Sequence, residues 1–234
     1  MWTDYLLDAQ RAESSFQHRP PRFPVRQPSQ IIRDYLTQTI VIVIRETELA
    51  AVPWKNGGGM TREFCRAPCD APAFDWRLSL ATIDRPGPFS LFEGYERILV
   101  LVRGAGIELD FGARGQARLD RVGQLVTFDG GSLTCGAPLD GSSTDLNLMV
   151  SRARAKTQSR VVRLANPEVI STAGWSDTLV CCLSGSVQIQ NAAGHVAELH
   201  SADLARCVPT DGLLTCQLRS AAAADLFIAA VGGR

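Results

Sequence analysis

From Thr39 onward the chain is built of short apolar runs separated by glycine, proline, asparagine and aspartate, with almost no helical spacing of apolar residues. Ile40–Ile44 is a continuous β-branched run, and the stretch 74–83 alternates. Further runs follow at 97–102, 107–111, 124–128 and 144–150. Strands this short cannot cover their apolar faces alone, so a chain with so many of them must stack sheets into a sandwich or barrel.

The pattern also repeats. Leu99–Leu109 and Leu179–Ile189 each give an apolar strand, a small Gly/Ser turn and an alternating strand, an offset of about 80 residues. Downstream, Leu119–Phe128 and Leu199–Val208 each give a leucine, a turn at Gly123 or Asp203, and a short apolar strand. The order predicts a duplicated β unit, and the chain has room for two. Each unit would hold roughly 100 residues, enough to fold without disulfides or metal. The expected organisation is an extension over 1–38, a first jelly-roll unit over 39–155 and a second over 156–234. Pro20, Pro21, Pro24, Pro28 and five arginines make the extension unable to bury a core, which predicts disorder apart from a short helix near Tyr5–Glu13.

Charge excludes some functions. Lys+Arg and Asp+Glu both number 24, so no electrostatic footprint exists for nucleic acid or an anionic membrane. No apolar run reaches the length of a membrane span and the first thirty residues lack the apolar core of a secretory signal, so the expected location is cytoplasmic. Cysteines at 65, 69, 135, 181, 182, 207 and 216 show no zinc-ligand spacing and are expected to be reduced and mostly buried.

Metal-binding jelly rolls use two histidines one residue apart, a nearby carboxylate and a third histidine on a later strand. This chain has only His18, His195 and His200, whose spacing suits no such set, so neither metal nor cofactor is expected. Both later histidines read as surface residues.

The densest motif is Pro53-Trp54-Lys55-Asn56-Gly57-Gly58-Gly59-Met60-Thr61-Arg62-Glu63-Phe64. Lys55 is one of only two lysines in the chain. The glycines permit a loop that presents N–H groups to an anion, or equally a tight turn between strands with Trp54 packed beneath. In the stretch 74–81, Trp76, Leu78 and Leu80 share one face, and Arg77 and Ser79 the other. In 144–150, Leu146, Leu148 and Val150 oppose Asp145, Asn147 and Met149. Such polar faces are either solvent-exposed or line a lumen, where Arg77 could clamp a carboxylate and Asn147 could read an amide or carbonyl. Phe89 and Phe92 read as a plug for one end of the unit or a lip for its mouth. Arg97 opens a strong apolar strand, and capping that edge would be reason enough for it.

Five pieces in fixed order, at 54–63, 74–79, Gly-Pro-Phe-Ser-x-Phe at 87–92, Gly94 with Arg97, and Asp-x-Asn-x-Met at 145–149, resemble the HutD/Ves family. The likeness spans about 39–232, with the second half matching in strand pattern only. It implies an all-β double cupin, two jelly-roll barrels or sandwiches in one chain, associated with histidine utilisation in its HutD members and with stress in its Ves members. It further implies a metal-poor pocket for a small carboxylate, such as N-formylglutamate or urocanate. The matching ligand-binding positions are Trp54, Lys55, Asn56, Thr61, Glu63, Trp76, Arg77, Ser79, Ser90, Arg97 and Asn147.

The leading expectation is therefore a non-enzymatic binder of a small carboxylate metabolite. The alternative is a metal-independent enzyme with Glu63 as general base and Lys55 as stabiliser or general acid. A purely structural module would instead show units filled by large side chains. No helix-turn-helix pattern is visible, which argues against DNA binding. An exposed edge at Ile40–Ile44 would call for a second subunit, hence a homodimer.

Overall fold

The computed structural model describes residues 39–209 and 215–234; the extension and its expected short helix lie outside the described residues. The first eleven strands are β1 (Thr39–Ile44), β2 (Ala51–Pro53), β3 (Gly59–Ala67), β4 (Trp76–Ile83), β5 (Gly87–Pro88), β6 (Tyr95–Arg103), β7 (Ile107–Asp110), β8 (Gln116–Leu119), β9 (Leu125–Asp129), β10 (Cys135–Pro138) and β11 (Ser143–Ser151). The remainder are β12 (Ala155–Leu164), β13 (Glu168–Ser171), β14 (Asp177–Ser184), β15 (Ser186–Asn191), β16 (Val196–His200), β17 (Leu204–Pro209), β18 (Thr215–Arg219) and β19 (Ala224–Gly233).

These strands form four antiparallel sheets arranged as two sandwiches. In the first, β2-β3-β4-β11-β6-β9 covers β5-β10-β7-β8; in the second, β1-β17-β14-β19-β12 covers β13-β18-β15-β16. Within them the order β4-β11-β6-β9 matches β12-β19-β14-β17, and β5-β10-β7-β8 matches β13-β18-β15-β16. The repeat expected from sequence is thus a repeat of topology. Its register differs in one place: Leu99 faces the interior of its sandwich, whereas Leu179 faces the core between the large sheets. The interior-facing pair is Leu99 and Val180, because the hairpin from Cys182 to Val187 is one residue shorter than that from Leu101 to Ile107.

Alternation explains the layers. Leu78, Leu80, Ile98, Val100, Leu146 and Leu148 leave the first large sheet on one side and meet Leu179, Cys181, Phe227 and Ala229 of the second, forming one shared core. The second sandwich is filled by Val180, Cys182, Val187, Ile189, Leu199, Leu218 and Leu226. The first is filled only in part, by Ile83, Leu99, Leu101, Ile107, Leu109 and Leu119.

Ile40–Ile44, expected at the head of the first unit, instead pairs with β17, from Thr39 opposite Pro209 to Ile44 opposite Leu204. Val41 and Val43 pack into the second core. A continuous apolar run carries no record of which sandwich will offer it an edge. Arg45–Asp203 and Arg103–Glu46 ion pairs pin the chain where it crosses back to the first sandwich.

All seven cysteines are free; Cys181, Cys182, Cys207 and Cys216 are buried, Cys65 is half-buried, and Cys69 and Cys135 are exposed. His195 and His200 are exposed. Among the described residues no helix is long and apolar enough to cross a membrane, and no three His, Cys, Asp or Glu side chains converge on a point that could hold a metal.

Candidate functional site

The unfilled part of the first sandwich is a cavity of about 570 Å³, within the range of small-molecule sites. Its floor is the inner face of the large sheet: Thr61 from β3, Arg77, Ser79 and Ala81 from β4, Arg97 from β6, and Asp145, Asn147 and Met149 from β11. Trp54, Lys55 and Asn56 form one rim, and Pro88, Phe89, Ser90 and Phe92 the other.

Strand register brings these groups together. Asn147 lies between Ser79 and Leu99, Met149 between Arg77 and Arg97, and Asp145 between Ala81 and Leu101. Arg97 is only 5% exposed. Its guanidinium lies between two phenyl rings, 4.9 Å from the centroid of Phe89 and 5.1 Å from that of Phe128, and its Nε donates a long hydrogen bond of 3.4 Å to Asn147 Oδ1. Such stacking fixes the plane of the fork and leaves its terminal N–H groups for a ligand. Burial pushes the Arg97 pKa down to about 10, opposed by the charge of Asp145 and reinforced by that of Arg77.

Asp145 is the site residue that sequence reasoning missed. It is 1% exposed, and neither carboxylate oxygen has a hydrogen-bond partner. Burial pushes its pKa up to about 7, with Arg97 pulling the other way. The signal was present, since Asp145 shares the alternation of Asn147 and Met149. A polar face on one strand, however, reads equally as a solvent face until the covering sheet is known.

Two of the expected site residues do not line the cavity. Trp76 points the opposite way into the shared core, 1% exposed, with the Arg206 guanidinium 5.2 Å from its ring centroid. Alternation had already separated it from Arg77. Glu63 turns its carboxylate onto Arg77 Nε at 2.6 Å and Arg66 Nε at 3.1 Å. It therefore orients a cavity arginine from behind, and a carboxylate engaged by two cations is poorly placed as a general base. The other nine, Trp54, Lys55, Asn56, Thr61, Arg77, Ser79, Ser90, Arg97 and Asn147, all line it.

The glycine run is a tight turn. Gly57 (φ +67°) donates its N–H to Trp54 O, and Gly58 donates its N–H to Asn56 Oδ1, so these two donors are engaged within the loop. Trp54 Nε1 donates to Thr61 Oγ1 at 2.8 Å and its ring meets Phe89 edge-on. Gly59 is required by space: a Cβ there would lie 2.1 Å from Thr82 O and 3.2 Å from Trp54 Cζ3. Gly59→Ala must part β3 from β4, so it is expected to lower stability by about 1–3 kcal/mol in urea unfolding and to tilt Trp54 out of the rim.

The second sandwich serves as an internal comparison. Leu226 pairs with Val162 and Cys182 as Asp145 does with Ala81 and Leu101. By the same register Ile228 stands where the first sandwich has Asn147, Ala230 where it has Met149, and Thr178 where it has Arg97. One topology thus supports an apolar filling in one copy and a polar cavity in the other.

Two jelly-roll sandwiches of repeated topology, sharing a core through their large sheets, define the double-cupin class. The profile of the HutD family matches residues 46–227, and the chain belongs to that family. It is 36% identical over 137 residues to Protein Ves of Citrobacter koseri, covering 58% of this chain and 69% of that protein. It is 30% identical to an uncharacterised 21.2 kDa protein from the region 3′ of hutC in Pseudomonas putida, over 76% of this chain and 92% of that one. HutD from Pseudomonas fluorescens superposes with a TM-score of 0.72 at 27% identity, covering 83% of this chain and all of that one (100%).

Proposed function

We propose that this HutD-family protein is a cytoplasmic, non-enzymatic binder of a small carboxylate metabolite, acting in histidine or related amino-acid utilisation. The observation that carries the reading is the Arg97 guanidinium held between Phe89 and Phe128 at the floor of the cavity. A fork fixed in plane, with apolar walls around it, is suited to bidentate recognition of a carboxylate. Arg77 and Lys55 add positive charge, while Asn147, Ser79 and Thr61 supply uncharged hydrogen bonds. The hut-region relative and the HutD likeness favour acids of histidine breakdown, N-formylglutamate and urocanate first. Binding is favoured over catalysis because the one carboxylate expected to act as a base, Glu63, is tied to Arg77 and Arg66.

A thermal-shift screen of histidine-pathway acids tests this. One or more acids should raise the melting temperature of the wild-type chain, and Arg77→Ala and Lys55→Ala should each reduce that shift. Shifts left intact in both variants would place the ligand elsewhere.

A further inference from the structure

Resting on the carboxylate-binding reading, the site raises the question of what an acidic side chain does at the bottom of a cavity otherwise lined by cations and neutral groups. The fold does not need it, because the equivalent position in the second sandwich carries Leu226. Nor does a hydrogen bond within the protein hold it: it is buried, it borders the cavity, and both its oxygens lack a hydrogen-bond partner. A buried polar group without a partner is costly, and the cavity that Asp145 borders is space from which a ligand could supply one.

We propose that Asp145 is the specificity-determining residue of the cavity, meeting the ligand as a neutral carboxyl whose O–H bonds an oxygen of the anion held by Arg97, so that anion and proton enter together. Two negative charges sharing the field of Arg97 would repel, and the proton on Asp145 removes that repulsion while supplying a donor. Where Asp145 is ionised before binding, charge balance is met by one proton taken from solvent per anion bound; on the acid side the proton is already in place. The raised affinity of Asp145 for protons in the ligand-free protein supports this, since little further work is needed to load it near neutral pH. Arg97 from β6 acts on its charge, the other charged groups lining the cavity are Arg77 from β4 and Lys55 from the rim, and among the described residues no histidine or cysteine lines it. Burial lowers Arg97 only to about 10, so it keeps its charge in the range where Asp145, raised to about 7, changes its own. The neutral carboxyl offers an O–H donor that an ionised one lacks, so a ligand oxygen placed here gains a hydrogen bond it could not make to the carboxylate, which gives the residue its selectivity.

The test is calorimetric titration of N-formyl-L-glutamate, with formate as the minimal carboxylate, from about pH 6 to about pH 9. The wild-type affinity should be flat on the acid side and fall about tenfold per pH unit on the alkaline side. Titration at pH 8 in two buffers of different ionisation enthalpy should show proton uptake approaching one per ligand. Asp145→Asn, neutral throughout and still a donor, should bind within a few-fold of the acid limit at every pH. Binding that is equally tight across the range without proton uptake would overturn the role of Asp145 and leave the carboxylate reading in place. Failure of both probes at every pH would overturn both.

Discussion

Arg97→Met is expected to leave the chain folded and to remove the proposed carboxylate binding. The expected loss is at least about 30-fold in Kd, the counterpart of the 2 kcal/mol or more typical of truncating one partner in a buried, hydrogen-bonded charge pair. Methionine keeps an apolar filling between the Phe89 and Phe128 rings, so the packing of the rim loop is retained while the fork is lost. Arg97→Lys separates charge from geometry: a point charge without the planar fork should bind more weakly than wild type but better than the methionine variant. Calorimetry against a carboxylate that stabilises the wild type gives both numbers.

The largest stability effect is expected at Phe227. Its side chain is fully buried (0% exposed) in the core that both large sheets share. Phe227→Ala deletes a ring from between two layers whose backbones are fixed by their own ladders, so the gap cannot close. The expected cost is about 3–5 kcal/mol, or a fall in melting temperature of roughly 10 °C. Val169 on β13 is 61% exposed, and Val169→Ala should stay within about 0.5 kcal/mol of wild type. Urea unfolding followed by fluorescence and by circular dichroism measures both. A single coincident transition is expected, because the sandwiches share the layer that Phe227 fills.

Much of the fold was legible because a period of two reports which side chains share a face. Leu146, Leu148 and Val150 against Asp145, Asn147 and Met149 is that rule at work, and the shared core and the cavity lie on the faces it separates. What it could not report is what covers each face. Asp145 and Arg97 become a site only because β5-β10-β7-β8 lies across them. The placement of β1 was hidden for a related reason: pairing with β17 depends on an edge supplied more than 150 residues later, and nothing in Ile40–Ile44 encodes that partner. Trp54, Lys55 and Asn56 of the motif 54–63 lie at the cavity rim, and its glycines serve a close approach to Thr82 and a turn rather than anion-binding N–H groups. Glu63, in that motif, is paired with Arg77 rather than lining the cavity.

The relation between the two sandwiches gives the most direct measurement. Asp145→Leu with Asn147→Ile gives β11 the inward residues that β19 carries as Leu226 and Ile228. Calorimetric titration of N-formyl-L-glutamate, urocanate and formate into this double variant and into the wild type should show saturable binding at one site in the wild type alone, with the variant folded and unresponsive. Binding of equal strength in both, or none of the three acids binding the wild type, would contradict the assignment of the first sandwich's cavity as a carboxylate site.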